Sequence, residues 1–84
     1  MAVRGMANRE VLIDLSTLFF GEKVTIEDLM DNYVEVCHCV EADLVCIAEA
    51  MKDFSVTSEE WTELVQKNEL WRELRQQLWL LGGI

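Results

Sequence analysis

The residues best suited to chemistry in this 84-residue sequence are Cys37, His38, Cys39 and Cys46. Thiolate and imidazole are zinc ligands. A structural zinc site, however, shows paired ligands two to four residues apart at two separate places, and here a single cluster stands alone. On a helix Cys37 and Cys39 diverge by about 200° and cannot share one ion. No metal ligand and no cofactor is therefore expected. Cys37 falls on an apolar seam and reads as a small buried thiol. Cys39 and Cys46 are seven residues apart, about 10 Å along a helix, too far for a mutual disulfide. They share one stripe, where they face another helix or another chain. A nucleophilic thiol needs nearby positive charge to lower its pKa, and Glu35, Asp43 and Glu49 supply the opposite. His38 is adjacent in sequence and so points elsewhere on a helix. Three cysteines make an odd number, which argues against a closed disulfide framework and for a reducing, cytoplasmic setting.

Other chemistries have even less support. Carboxylate pairs abound, but acid–base catalysis needs burial to tune a pKa, and these acids read as a solvated face. The glycines, Gly5, Gly21, Gly82 and Gly83, form no phosphate loop, and the acids lack the alternate spacing of a calcium loop. No enzyme activity is expected. Trp61 (with Leu64 and Val65) and Trp71 (with Leu74 and Leu78) read as core. Trp79 belongs to Leu78-Trp79-Leu80-Leu81, a last turn apolar all round. That pattern is expected either of burial under the first helix or of an interface, and it makes Trp79 and Leu80 a candidate apolar binding edge.

The elements that must position these residues are helical. Asn8 precedes an apolar repeat at Val11, Leu15 and Leu18, and Gly21 stops it, predicting a helix near 9–20. Ile13 and Phe20 lie on its other side, so burial on two faces is expected. Thr25 followed by Asp28 approximates a capping box. From there Ile26, Met30, Tyr33, Cys37, Val40, Leu44, Ile47 and Met51 alternate four- and three-residue steps, a helical seam over 25–53. One unbroken helix of that length would reach about 43 Å, so a break near 38–43 is expected. The alternating, β-rich stretch 33–40 makes a strand the rival reading; the seam running through it favours helix. In the last third, Trp61, Leu64 and Val65 share one face. Leu70, Trp71, Leu74, Leu78 and Leu81 share another, rotated by about 125°. Two helices, near 58–67 and 69–81, joined at Lys67-Asn68 and stopped by Gly82-Gly83, are predicted. The fold class is all-α, a small bundle of three to five helices in a single domain over residues 1–84, with 1–7 disordered. No apolar run approaches the roughly 18 uncharged residues that cross a bilayer, and no signal sequence is evident.

Charge is the most informative feature. The net charge is −9, yet residues 24–63 hold eleven acids against Lys52 alone, while both ends are close to neutral. Asp28, Asp31, Glu35, Glu49, Asp53, Glu59, Glu60 and Glu63 are the candidate partner-binding acids. Such a surface excludes clamping nucleic acid by its phosphates and steers toward a basic protein surface. The expected function is a small acidic interaction protein that binds and regulates or inhibits a protein partner. A nucleic-acid-handling protein is the specific case, with this chain acting as nucleic-acid mimic. In size and charge alone it resembles small phage-encoded inhibitors of host defence. The alternative is a self-associating structural helical protein, such as a homodimer. A third is a cysteine-based redox or metal switch.

Overall fold

The computed structural model describes residues 7–82 and is all-α. Its four helices are α1 (Arg9–Phe20), α2 (Ile26–Asp31), α3 (Tyr33–Met51) and α4 (Ser58–Gly82). The expected disorder of 1–7 concerns residues 1–6, which lie outside the described residues, and Ala7, which precedes α1 in non-helical backbone. Gly83 also lies outside them. No helix among the described residues is long and apolar enough to cross a membrane.

Local chemistry sets the helix ends. The Asn8 carboxamide oxygen accepts from the backbone N–H groups of Glu10 and Val11, at 3.1 and 3.2 Å. Those are donors that a helix start leaves orphaned. Gly21 takes φ 74°, a left-handed conformation that costs a side-chain-bearing residue, and its N–H donates to the Thr17 carbonyl. Thr25 and Asp28 form the full capping box. The Asp28 N–H donates to Thr25 Oγ1, and the Thr25 N–H donates to Asp28 Oδ2. A second box opens α4. The Glu60 N–H donates to Thr57 Oγ1, and the Thr57 hydroxyl donates to Glu60 Oε1.

Two predicted boundaries move. The 25–53 segment is indeed interrupted, but at Asn32 and not at 38–43. Asn32 has φ −119°, ψ 29°, and its side-chain Nδ2 donates to the Asp28 carbonyl. A short polar side chain that donates to a backbone carbonyl competes with the helix ladder; the short polar residue in 38–43, Asp43, is a carboxylate and cannot donate in that way. The break also resets the seam. Leu29 is buried and Met30 is 60% exposed, whereas beyond it Val36, Val40, Leu44 and Ile47 are buried on one stripe. Residues 33–40 are helix, not strand.

The predicted join at Lys67-Asn68 is absent, and α4 runs unbroken through it. The phase argument required both apolar faces to be buried. Trp61, predicted to be core, is 45% exposed, so a straight helix satisfies both halves of the pattern. The contacts of α1 with α4 run from the Lys67–Trp71 turn to Gln77, which leaves the first turns of α4 beyond its cover. The predicted second buried face of α1 is also reduced: Ile13 is half-buried and Phe20 is exposed, its ring edge-on to Phe19.

Helices α3 and α4 form an antiparallel hairpin. The Tyr33 hydroxyl, at the start of α3, donates to the Leu78 carbonyl near the end of α4, at 2.6 Å. Its ring occupies the space where a side chain at Gly82 would stand, so Gly82 serves close approach as well as helix termination. Helix α1 crosses one side of the hairpin. It is tied by the Asn8 N–H donating to Gln77 Oε1 at 2.7 Å and by Phe19 set edge-on to Trp71, centroids 4.9 Å apart. Helix α2 packs on α3. The centre is filled by Leu12, Leu29, Val40, Leu74 and Leu78, all fully buried. Burying each of these side chains is worth about 1.5–3 kcal/mol.

Two members of the core leave a polar atom without a hydrogen-bond partner among the described residues, the Trp71 indole Nε1 and the Ser16 hydroxyl. Ser16 is fully buried. Such a group costs about 1–3 kcal/mol. Ser16→Ala is therefore expected to raise stability by about 1 kcal/mol, visible as a Tm increase of about 4–8 °C in a domain of this size. Tyr33→Phe, which deletes the hydroxyl bonded to Leu78, is expected to lower stability by about 1 kcal/mol with helix content unchanged by circular dichroism.

Candidate functional site

All eight predicted acids are exposed, but the structure divides them. Asp28, Asp31 and Glu35 gather where α2 meets α3. Glu49, Asp53, Glu59, Glu60 and Glu63 gather around the loop that joins α3 to α4. Along α3 the nearest members of the two groups, Glu35 and Glu49, stand 14 residues and about 21 Å apart. Glu35 and Glu49 project about 140–180° from Val40, away from the α3–α4 contact. The acidic surface is thus the outer edge of α3 and its two ends, not one flat face.

Three of the eight carboxylates are already engaged. Asp28 and Glu60 complete the capping boxes of α2 and α4. Asp53 accepts from the Ser55 N–H and the Ser55 hydroxyl, at 2.9 and 2.8 Å. The backbone N–H first, and the hydroxyl second, hold the Asp53 carboxyl below the usual carboxylate range. With the folded value depressed, the stabilisation this turn supplies is present at neutral pH and is lost as pH falls through that lowered value. Asp31, Glu35, Glu49, Glu59 and Glu63 make no side-chain hydrogen bond among the described residues. Their charge faces solvent.

The two residues of the predicted apolar edge differ in exposure. Trp79 is 40% exposed, and the Arg75 guanidinium lies 4.8 Å from its ring centre, a cation–π arrangement. Leu80 is half-buried. The shallow groove beside them takes all its walls from α4, so it is an open helix flank, not a cleft. A second groove, among the end of α1, α2 and α3, is lined by Phe20, Val24, Leu29, Val36 and Cys39 with Asp28 and Glu35. It brings together no nucleophile–base pair.

Cys37 is half-buried, while Cys39 and Cys46 are exposed. Burial pushes the Cys37 thiol up, the Tyr33 hydroxyl partly offsets this, and the Glu41 charge adds to it. No group of three His, Cys, Asp or Glu placed to hold a metal occurs among the described residues. The sequence gives no warning of the Asn8–Gln77 bond, which spans 69 positions, nor of Tyr33 reaching Leu78. The Arg75–Trp79 stack is legible as a four-residue helical spacing.

Native protein treated with a thiol-specific disulfide reagent is expected to release two equivalents quickly, from Cys39 and Cys46. In a Cys39→Ser/Cys46→Ser variant the remaining Cys37 should react slowly until denaturant is added. Equal fast reaction of all three thiols would contradict the burial of Cys37. No protein-family model, curated protein or solved structure matches the chain.

Proposed function

We propose that this chain is a small acidic interaction protein, not an enzyme, that binds and regulates or inhibits a protein partner with a basic surface. The observation that carries the reading is the set of five carboxylates, Asp31, Glu35, Glu49, Glu59 and Glu63, that no capping interaction consumes. They stand along the α3 edge and at its ends, where a long basic groove would meet them. Charge complementarity of this kind raises association rates and selects partners.

The scale of the charge supports a nucleic-acid mimic as the specific form. The eight exposed acids of the edge and its ends, on a body 40 Å long, amount to one charge per about 5 Å. A single nucleic-acid strand carries one per about 3.4 Å of axis, and a duplex one per about 1.7 Å. The surface therefore imitates one strand better than two. Exposed free thiols suit a reducing compartment, which gives the reading a cytoplasmic setting.

The test uses immobilised full-length chain in cell lysate at low and high salt. A basic nucleic-acid-binding protein should be retained at low salt, released as salt rises, and displaced by added single-stranded nucleic acid. A Glu35→Gln/Glu49→Gln/Glu63→Gln variant should retain at least about tenfold less, an amount equal to about 1.4 kcal/mol. Absence of any retained protein at low salt, or equal retention by the variant, rules the reading out.

A further inference from the structure

Among the described residues, one side of the α3–α4 hairpin is covered and the other is bare. Helix α1 meets the hairpin through Gln77 and Trp71 on α4. The grooves at its end reach Asp43 and Val36 on α3. At about 100° per residue, Val34, His38, Glu41, Val45, Ala48 and Lys52 form a stripe on the opposite flank of α3. In the antiparallel neighbour, Trp61, Val65, Asn68, Arg72, Arg75 and Trp79 form the stripe on the same side of α4. Both stripes step by four and three residues throughout, the spacing by which helices pack side by side. Val34 is 64% exposed and Val45 58%, and Trp61 and Trp79 are exposed at opposite ends of α4.

We propose that this bare face binds a second copy of the chain, two hairpins packing face to face as a four-helix bundle related by a twofold axis along the hairpin. Three observations select that occupant. First, the face carries Lys52, Arg72 and Arg75 against the single acid Glu41, in a chain of net charge −9. It repels a basic partner, and it is the surface on which two acidic chains meet with least repulsion.

Second, the face is complementary to itself. Tyr33 meets Leu78 and Gly82, so eight residues further along α3 Glu41 lies level with Arg72. The twofold then sets Glu41 of each copy against Arg72 of the other. It also sets the apolar ends, Val34 and Trp79 at one and Ala48 and Val65 at the other, against their like.

Third, size and shape fit. The chain has a radius of gyration of 14.0 Å, against about 12 Å for a compact domain of this length. Its extents are 40 × 36 × 19 Å, and the smallest is that of two packed helix layers. Two copies stacked on that dimension measure about 38 Å, which makes a body nearly equal in all directions. A face about 28 Å long and about 20 Å wide buries about 1,100 Å² over the two copies, above the roughly 1,000 Å² that a specific interface needs.

Sedimentation equilibrium of the full chain over a concentration series tests this. The expected mass is twice the 9.7 kDa of the chain. Val45→Glu, at an exposed site that the monomer fold does not use, should give monomer with unchanged helicity. Glu41→Arg and Arg72→Glu should each weaken dimerisation about tenfold by creating like-charge pairs, and the double swap should restore it to within about threefold. Monomer at all concentrations overturns the proposal, as does a dimer that is indifferent to Val45→Glu or one that the double swap fails to restore. In the pull-down variant Glu35 and Glu63 lie off this face and Glu49 at its rim, so the mass of that variant, read in the same series, separates failure of one reading from failure of the other.

Discussion

Everything in the molecule leans on one stretch of α4, the turns from Trp71 to Leu78. Trp71, Leu74, Gln77 and Leu78 are buried there, and two other helices use the same turns. Phe19 of α1 packs on Trp71 and the Asn8 backbone donates to Gln77. The Tyr33 hydroxyl of α3 donates to the Leu78 carbonyl. A chain of 84 residues has little interior to share, and here one helix segment serves as the wall for the rest. Gln77 is a buried amide, and its cost is offset because both ends are used: Oε1 accepts from Asn8 and Nε2 donates to Glu73.

Because that wall is short, most of the rest of the molecule is surface. The outer edge of α3 and the ends of its hairpin carry the acids. The hairpin face away from α1 carries the basic and apolar residues. On α3 the two surfaces adjoin: Glu35 lies about 100° from the centre of the Val34–Lys52 stripe, and Glu49 about 60° from it, at its rim. The proposed basic partner and the proposed second copy would therefore meet different, adjoining surfaces. The capping roles of Asp28, Asp53 and Glu60 show why counting acids overstates a binding surface: part of the negative charge secures helix ends and turns.

Much of the fold was legible from local chemistry. Asn8, Gly21, Thr25 with Asp28, and Thr57 with Glu60 mark helix ends through hydrogen bonds made within four residues, so the sequence contains both partners. Periodicity identified α1, the body of α3 and the core positions Trp71, Leu74 and Leu78. It misled where phase was equated with burial. Met30 continues the four–three seam yet is exposed, because Asn32 breaks the helix and resets the phase. Trp61 looked like core and is exposed, because among the described residues α1 does not reach the first turns of α4, where Leu64 packs against the core and Trp61 faces away. The predicted join at Asn68 came from the same assumption.

By itself, the sequence determined the all-α class, the helix caps, the concentration of charge in residues 24–63 and the divergence of Cys37 from Cys39. Each depends on residue type and on spacing within a few turns. Only the tertiary structure decided which apolar stripe is core and which is surface. It alone joined Asn8 to Gln77 and Tyr33 to Leu78, parted the acids into two groups at the ends of α3 and, among the described residues, left one side of the hairpin bare. Those outcomes depend on where α1 and α3 come to rest against α4. That placement follows from packing between residues distant in sequence, which a local repeat does not encode.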